Sequence, residues 1–302
     1  MGDPDAAVHL DPGARRLLRL DDTHRVACSD RDLWIGYGRA HDAHERLERV
    51  LRSERRMRPD NLLIVGASNN GKTAIACRFL SRHTTQEDPE AETASLPVAL
   101  IQAPNGPRIP LLLGAILQAL GREPGPGRRG TIAQLRDETY RAMHAVGLRL
   151  LLIDDLHNIR GSGVASMLVE LRNMGSITGV SLAGFATKEI AYVLRQDEQM
   201  ANRFELLTLP RWKLKDLEYA KLLATFERQL PLWQASGLTD PRLAQHILTM
   251  AGGLIGGIVA LLRQAAAEAI RTGHERIDRP MLARANAASP ERIEAVAHAL
   301  DL

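Results

Sequence analysis

Five short apolar runs, at 61–65, 97–102, 148–153, 180–184 and 205–209, are separated by stretches whose apolar residues recur every three or four positions. Those stretches, at about 73–82, 109–120, 131–146, 163–174 and 187–196, predict helices. The runs are apolar almost throughout rather than alternating, the pattern of strands covered on both faces. Strand and helix in alternation predict an α/β fold, a parallel five-stranded sheet covered by helices. After Pro210 the strand signal ends. Helical patterns follow at 214–230, 241–251, 254–272, 279–288 and 290–301, punctuated by Pro231, Pro241, Pro280 and Pro290. A small all-helical domain therefore follows the sheet.

Three segments result: an N-terminal extension with a leading helix over 1–60, an α/β domain over 61–210 and a helical domain over 211–302. In the first, residues 1–38 read as irregular around two short apolar patches. From 40 to 51, Ala40, Ala43, Leu47, Val50 and Leu51 keep a helical period, with charged Asp42, Glu45, Arg46, Glu48 and Arg49 on the other faces. The glycine- and proline-rich stretch at 121–130 predicts an exposed loop.

Composition adds little to that pattern. The 302 residues carry 39 basic and 36 acidic side chains, a net charge of +3 that permits nucleic-acid binding without requiring it. Cys28 and Cys77 are the only cysteines, too few for a disulfide framework and without metal-ligand spacing. The acidic start, Met1 to Asp5, lacks the basic-then-apolar order of a signal peptide, and the longest apolar run, 251–262, is too short to span a bilayer. A cytoplasmic protein without membrane association is expected.

One short stretch narrows the chemistry sharply. Gly66, Ala67, Ser68, Asn69, Asn70, Gly71, Lys72 and Thr73 match G-x-x-x-x-G-K-[ST], between the first apolar run and the first helix of the α/β domain. The glycines let the backbone curl so that N–H groups face a β-phosphate, and the helix N-terminus favours the anion. Lys72 supplies a charge for the β and γ oxygens, and the Thr73 hydroxyl is placed to ligate Mg²⁺. The expected ligands are ATP and Mg²⁺.

The third apolar run ends in Asp154 and Asp155. Opposite a phosphate loop, the first acid suits Mg²⁺ held through water, and the second suits a general base for the attacking water. Asp155 is one methylene shorter than glutamate, so hydrolysis is expected to be slow and stimulated by a partner, and Asp155→Glu to raise turnover. Thr187, just past the fourth run, reads either as a polar residue between the γ-phosphate and the water or as a helix N-cap. Arg203, before the fifth run, reads either as a finger aimed at a neighbouring subunit's γ-phosphate or as a local ion pair with Glu205 or Glu198. Arg195 is a weaker alternative finger.

With these elements in place, the chain resembles the AAA+ ATPases, and more narrowly the TniB transposition helpers of bacterial transposons, relatives of TnsC. The likeness rests on 34–40, the phosphate loop with its strand, the stretch Asp154, Asp155, Leu156, His157 and Asn158, and residues 199–205, and it spans about 15–275. It implies an AAA+ sheet with a helical lid, ATP-promoted ring or helical oligomers on double-stranded DNA, and recruitment or activation of a DDE-type transposase. It also implies that Ile35 and Tyr37 flank the adenine. Two departures stand out: Asp155 for the usual glutamate, and glycines at 252–253 and 256–257 where many relatives place a second sensing arginine, with Arg263 two turns further on. Arg108, Arg128 and Arg129 read either as loop arginines for DNA phosphates or as solvated loop charges, and in the first reading replacing all three with Ala should flatten the salt dependence of DNA affinity. A helicase-loader ATPase, or a nucleotide-gated scaffold with negligible hydrolysis, are the competing readings.

Overall fold

The structure, a computed structural model, describes residues 7–29, 34–83, 95–122, 131–159, 161, 163–196 and 202–287, with backbone alone at 195, 196, 286 and 287. In chain order the helices and strands are α1 (Pro12–Leu17), α2 (Asp22–Ser29), α3 (Gly38–Arg52), β1 (Asn61–Gly66), α4 (Lys72–Arg82), β2 (Val98–Gln102), α5 (Ile109–Ala119) and α6 (Ile132–Ala145). There follow β3 (Leu150–Asp154), α7 (Val164–Thr178), β4 (Ser181–Ala186), α8 (Lys188–Gln196), β5 (Phe204–Leu209), α9 (Leu217–Gln229), α10 (Pro241–Met250), α11 (Ile255–Arg271) and α12 (Arg279–Ala287). They fall into two compact units, Arg39–Pro210 and a second made of Met1–Gly38 with Arg211–Leu302.

The first unit is the expected α/β domain. Its five strands are parallel in the order β2-β3-β4-β1-β5. β1, β3 and β4 are buried at every position, which is why they read as unbroken apolar runs, whereas β5, at the sheet edge, leaves Glu205 and Thr208 exposed. Leu63, Ile101, Leu151, Ile153 and Leu182 form one face of the core with Leu112, Ile116, Met143, Met167 and Leu171 from the helices. Each such fully buried side chain contributes about 1.5–3 kcal/mol. Parallel strands end at one edge of the sheet, so the loops after β1, β3 and β4 gather there.

The second unit is helical. Its core joins Leu222, Leu223 and Phe226 of α9, Ile247 of α10, Leu262 and Ile270 of α11, and Leu282 of α12. The N-terminal 38 residues were expected to be irregular, but α1 and α2 lie here. At 6 and 8 residues these helices are too short to show a period, and long-range contacts hold them. Leu10, Ala14 and Leu18 bury against Trp233. Arg25, 2% exposed, donates to Glu275 Oε2 at 2.5 Å, the Pro231 carbonyl at 2.8 Å and Asp22 Oδ1 at 3.0 Å. Removing one side of such a buried pair costs about 3–5 kcal/mol. Residues 1–60 thus divide at Gly38 between the two units. The helix expected at 290–301 lies outside the described residues.

The glycine turn before α11 has a packing reason. Gly253 has φ +67°, and a Cβ there would sit 2.8 Å from the Trp212 carbonyl oxygen, so only glycine fits. The apolar run at 251–262 is this turn and the start of α11, and no single described helix is long and apolar enough to cross a membrane.

Candidate functional site

The loop after β1 makes two left-handed turns, at Asn69 (φ 58°) and Gly71 (φ 79°), before α4 begins at Lys72. Asparagine is among the few side chains that tolerate this conformation, and glycine adopts it freely. Ser68, Asn69 and Thr73 face solvent, Ala67 is half-buried, and Thr73 lies in the first turn of α4. Lys72 is 5% exposed, and its Nζ donates to the carbonyls of Ala67 at 2.8 Å and Gly66 at 3.1 Å. Burial lowers its pKa, while the charges of Asp154 and Asp155 oppose that shift. Among the described residues Lys72 makes no ion pair within 4 Å, so its direct partners are the two loop carbonyls, with the charges of Asp154 and Asp155 acting on it from further away.

One contact in this loop had no sequence signal. Asn70 is 3% exposed, and its Nδ2 donates to the Leu209 carbonyl, at the end of β5, at 2.8 Å. A Cβ on Gly66 would come within 3.1 Å of Leu209 Cβ, so the loop is seated directly on the end of that strand. The motif pattern leaves this position free, and an amide in a polar loop gives no hint of a partner 139 residues away.

Asp154 closes β3 and is 6% exposed. Its Oδ1 accepts the N–H of Asp155 at 2.9 Å, and its carbonyl accepts the Ala103 N–H at 2.8 Å. Asp155 stands in the left-handed region, with φ 49° and ψ 41°. Gln102 Nε2 donates to its Oδ2 at 3.2 Å, and His157 Nδ1 lies 3.7 Å from its Oδ1. Register supplies this arrangement, because Gln102 pairs with Asp154 across β2 and β3. A non-glycine residue in this conformation costs about 1–3 kcal/mol, a cost that concentrates at working sites. Aspartate carries it better than glutamate, because its short side chain bonds locally.

Thr187 follows β4, is half-buried and accepts the Ala191 N–H on its carbonyl at 3.4 Å as α8 begins. Arg203 lies at the other edge of the sheet, where β5 starts. Its Nη1 donates to Ser176 Oγ on α7 at 2.9 Å, and burial, then the charges of Arg58 and Arg172, lower its pKa. Glu205, offered above as its local partner, instead pairs with Arg46 and Arg49. The side chain of Arg195 and residue Glu198 lie outside the described residues.

Ile35 and Tyr37 belong to the helical unit. Ile35 is buried in its core, and Tyr37 meets Trp212 edge to face at 5.5 Å. Arg263 Nε donates to the Ser29 carbonyl at 2.9 Å in the same unit. Arg108 is exposed and precedes α5, whereas Arg128 and Arg129 lie outside the described residues.

The description "Bacterial TniB protein" belongs to a family model that matches residues 25–214, more than half of the chain. Among solved structures, the ORC1 protein of Aeropyrum pernix, in complex with DNA, superposes with a TM-score of 0.61 at 20% identity, covering 87% of this chain and 68% of that one. The ORC2 protein of Aeropyrum pernix, with ADPNP and ADP, gives 0.60 at 16% identity over 86% and 71% of the two chains. Cdc6p of Pyrobaculum aerophilum gives 0.60 at 15% identity over 85% and 68%. No curated protein matches the chain. The sheet order and these superpositions make the fold that of an AAA+ protein, and the chain belongs to the bacterial TniB family.

Proposed function

We propose that this chain is an ATP-dependent transposition helper that assembles on duplex DNA, recruits or activates a DDE-type transposase, and uses ATP hydrolysis as its switch. The observation that carries the reading is Lys72, a buried ammonium hydrogen-bonded to loop carbonyls and acted on by the charges of two strand-end acids. No acid lies within ion-pair distance of that charge, and a triphosphate in the loop would provide a direct counter-ion. In this reading the backbone of Gly66 to Gly71 and Lys72 bind the phosphates. Thr73 and Asp154 would hold Mg²⁺, which when bound neutralises charge on the β and γ oxygens. Asp155, oriented by Gln102, takes a proton from the attacking water, and Thr187 positions that water. Arg203 serves a neighbouring subunit's site, and Ile35 and Tyr37 flank the adenine.

DNA binding is supported by membership of the TniB family and by the related fold of the DNA-bound Aeropyrum pernix ORC1 protein. Arg108, with Arg128 and Arg129, is assigned to phosphate contacts in this reading. The test measures nucleotide binding and phosphate release, with and without duplex DNA and the transposase, for the parent and for Lys72→Ala. Binding and stimulated release by the parent, both lost in Lys72→Ala, support the proposal. A Lys72→Ala protein that binds and assembles like the parent refutes it. Nucleotide-dependent assembly without phosphate release would favour the scaffold reading.

A further inference from the structure

A cleft of about 530 Å³ opens in the helical unit where α10 and α12 begin. That size suits a small ligand, for which sites of about 300–1,000 Å³ are usual. Three exposed arginines, Arg242, Arg276 and Arg279, line it. Asp240 and Asp278 line it too, yet neither captures a guanidinium. Asp240 Oδ1 accepts the N–H groups of Arg242 at 2.9 Å and Leu243 at 3.2 Å, which caps α10. Asp278 Oδ1 accepts the Met281 N–H at 3.1 Å and so caps α12, while His274 Nε2 donates to its Oδ2 at 2.6 Å. The acids are spent on helix ends. Among the described residues the three arginines therefore make no ion pair within 4 Å.

A further donor stands with them. Ser236, also in the lining, accepts the Ile277 N–H on its Oγ at 2.8 Å, and its own hydroxyl proton has no acceptor among the described residues. That bond ties the loop after α9 to the segment before α12, so the two walls are joined. Three guanidinium forks and a hydroxyl offer more donors than the two oxygens of one carboxylate can accept. A phosphate group presents three strong acceptor oxygens and up to two negative charges, and its geometry matches the arginine fork. Leu243 and Ile277 add an apolar wall against which the carbon part of a phosphate ester can rest.

We propose that this cleft is a phosphate site in the helical unit, in which Arg242, Arg276 and Arg279 hold the phosphate oxygens and the Ser236 hydroxyl donates to one of them. A free phosphate ester and the backbone of duplex DNA offer this same chemistry. The site does not depend on the phosphate loop, and only its duplex form rests on the DNA-binding reading above.

The test uses the full chain carrying Lys72→Ala, which removes the ammonium of the phosphate loop. Pyrophosphate is titrated by calorimetry, and a fluorescent duplex by anisotropy across a salt series without nucleotide. Adding Arg242→Ala, Arg276→Ala and Arg279→Ala should weaken pyrophosphate binding at least tenfold, or lower the slope of log affinity against log salt by about one per arginine. Lysine at all three positions should keep the salt slope but restore only part of the pyrophosphate affinity, because an ammonium lacks the fork. Ser236→Ala should cost about fivefold. A urea midpoint equal to the parent's shows that a variant folds, and where the alanine set lowers it, the lysine set and Ser236→Ala decide. Weaker pyrophosphate binding alone supports the site with a free ester as its ligand, and a reduced slope alone supports it with the duplex. Both readouts unchanged in the alanine set overturn the inference, as does a chain that binds neither probe. So does an acidic peptide, poly-glutamate, whose binding is lost in the alanine set while both phosphate probes stay unmoved. None of these outcomes touches the phosphate-loop reading, which Lys72→Ala tests by itself.

Discussion

The bond from Asn70 to Leu209 offers a direct test of how the phosphate loop is held. Its donor is almost fully buried, and its acceptor closes β5. In Asn70→Ala the bond is lost and the Leu209 carbonyl is left in a space too tight for ready solvation. A net hydrogen bond contributes about 1 kcal/mol, and an unsatisfied buried partner raises the loss to about 1–3 kcal/mol. Freed from the strand, the loop must also order itself on binding, and a loss of about tenfold in nucleotide affinity corresponds to ~1.4 kcal/mol. Asn70→Asp should be worse than Ala on both counts, because it sets a carboxylate against a carbonyl and beside the phosphates. Urea unfolding followed by far-UV circular dichroism, and titration with a fluorescent ATP analogue, read the two effects. An Asn70→Ala protein as stable as the parent and binding nucleotide equally well would refute the reasoning. So would an Asn70→Asp protein indistinguishable from Asn70→Ala.

Burial lowers the Lys72 pKa in the free protein, and a bound phosphate would raise it again. Nucleotide affinity should therefore hold below the free-state pKa and fall as pH rises between the two, with proton uptake on binding. Calorimetry in buffers of different ionisation enthalpy at alkaline pH measures that uptake, and its absence would exclude a buried ammonium as the phosphate ligand. Asp155→Asn keeps a side chain that tolerates φ 49°, so nucleotide affinity should persist while phosphate release falls by about 10²–10⁴-fold. Asp155→Glu should lose about 1 kcal/mol of stability in denaturant titration, and a rise in its turnover would show that reach, not conformation, selects the residue. His44 on α3 is buried against α4, where its Nε2 donates to the Ile75 carbonyl at 3.1 Å. Burial, with smaller effects from Arg82, Arg78 and His41, lowers its pKa below 6.5. The unfolded chain then binds the proton more readily, so stability contributed by neutral His44 is present above pH 6.5 and is lost as pH falls through its folded pKa. His44→Gln should flatten that part of the stability profile, and an unchanged slope would exclude His44 as its source.

The sheet was legible because β1, β3 and β4 are covered on both faces and so cannot alternate, and the phosphate loop because its chemistry fixes residue types at fixed spacing. What escaped the sequence was long-range. α1 and α2 are held by Leu18 and by Arg25 reaching Glu275, 250 residues away, so their local pattern carries little signal. Gln102 reaches Asp155 only because β2 and β3 adopt one register, and Asn70 finds Leu209 only because β5 pairs with β1. The glycines at 252–253 looked like a missing arginine, yet the approach to Trp212 demands glycine at 253. Aspartate at 155 looked like a shortened glutamate, yet its backbone conformation supplies an independent reason for it.

Both ends of β5 now carry a task. The strand begins just after Arg203, whose guanidinium is tied to α7, and ends at Leu209, which holds the phosphate loop through Asn70. Six residues at about 3.3 Å each place those ends ~20 Å apart. All six pair with β1, so the strand cannot slip without reversing which side chains face the core. A strand so fixed holds the two ends at a constant separation, and it has no second arrangement through which one end could bias the other. Removing Asn70 should therefore weaken nucleotide binding, and removing Arg203 should weaken assembly and turnover, without either altering the other's effect. At this separation the double variant should show the sum of the single losses to within about 0.5 kcal/mol. A larger coupling would mean that β5 moves as nucleotide binds, and the rigid-strand account would have to be abandoned.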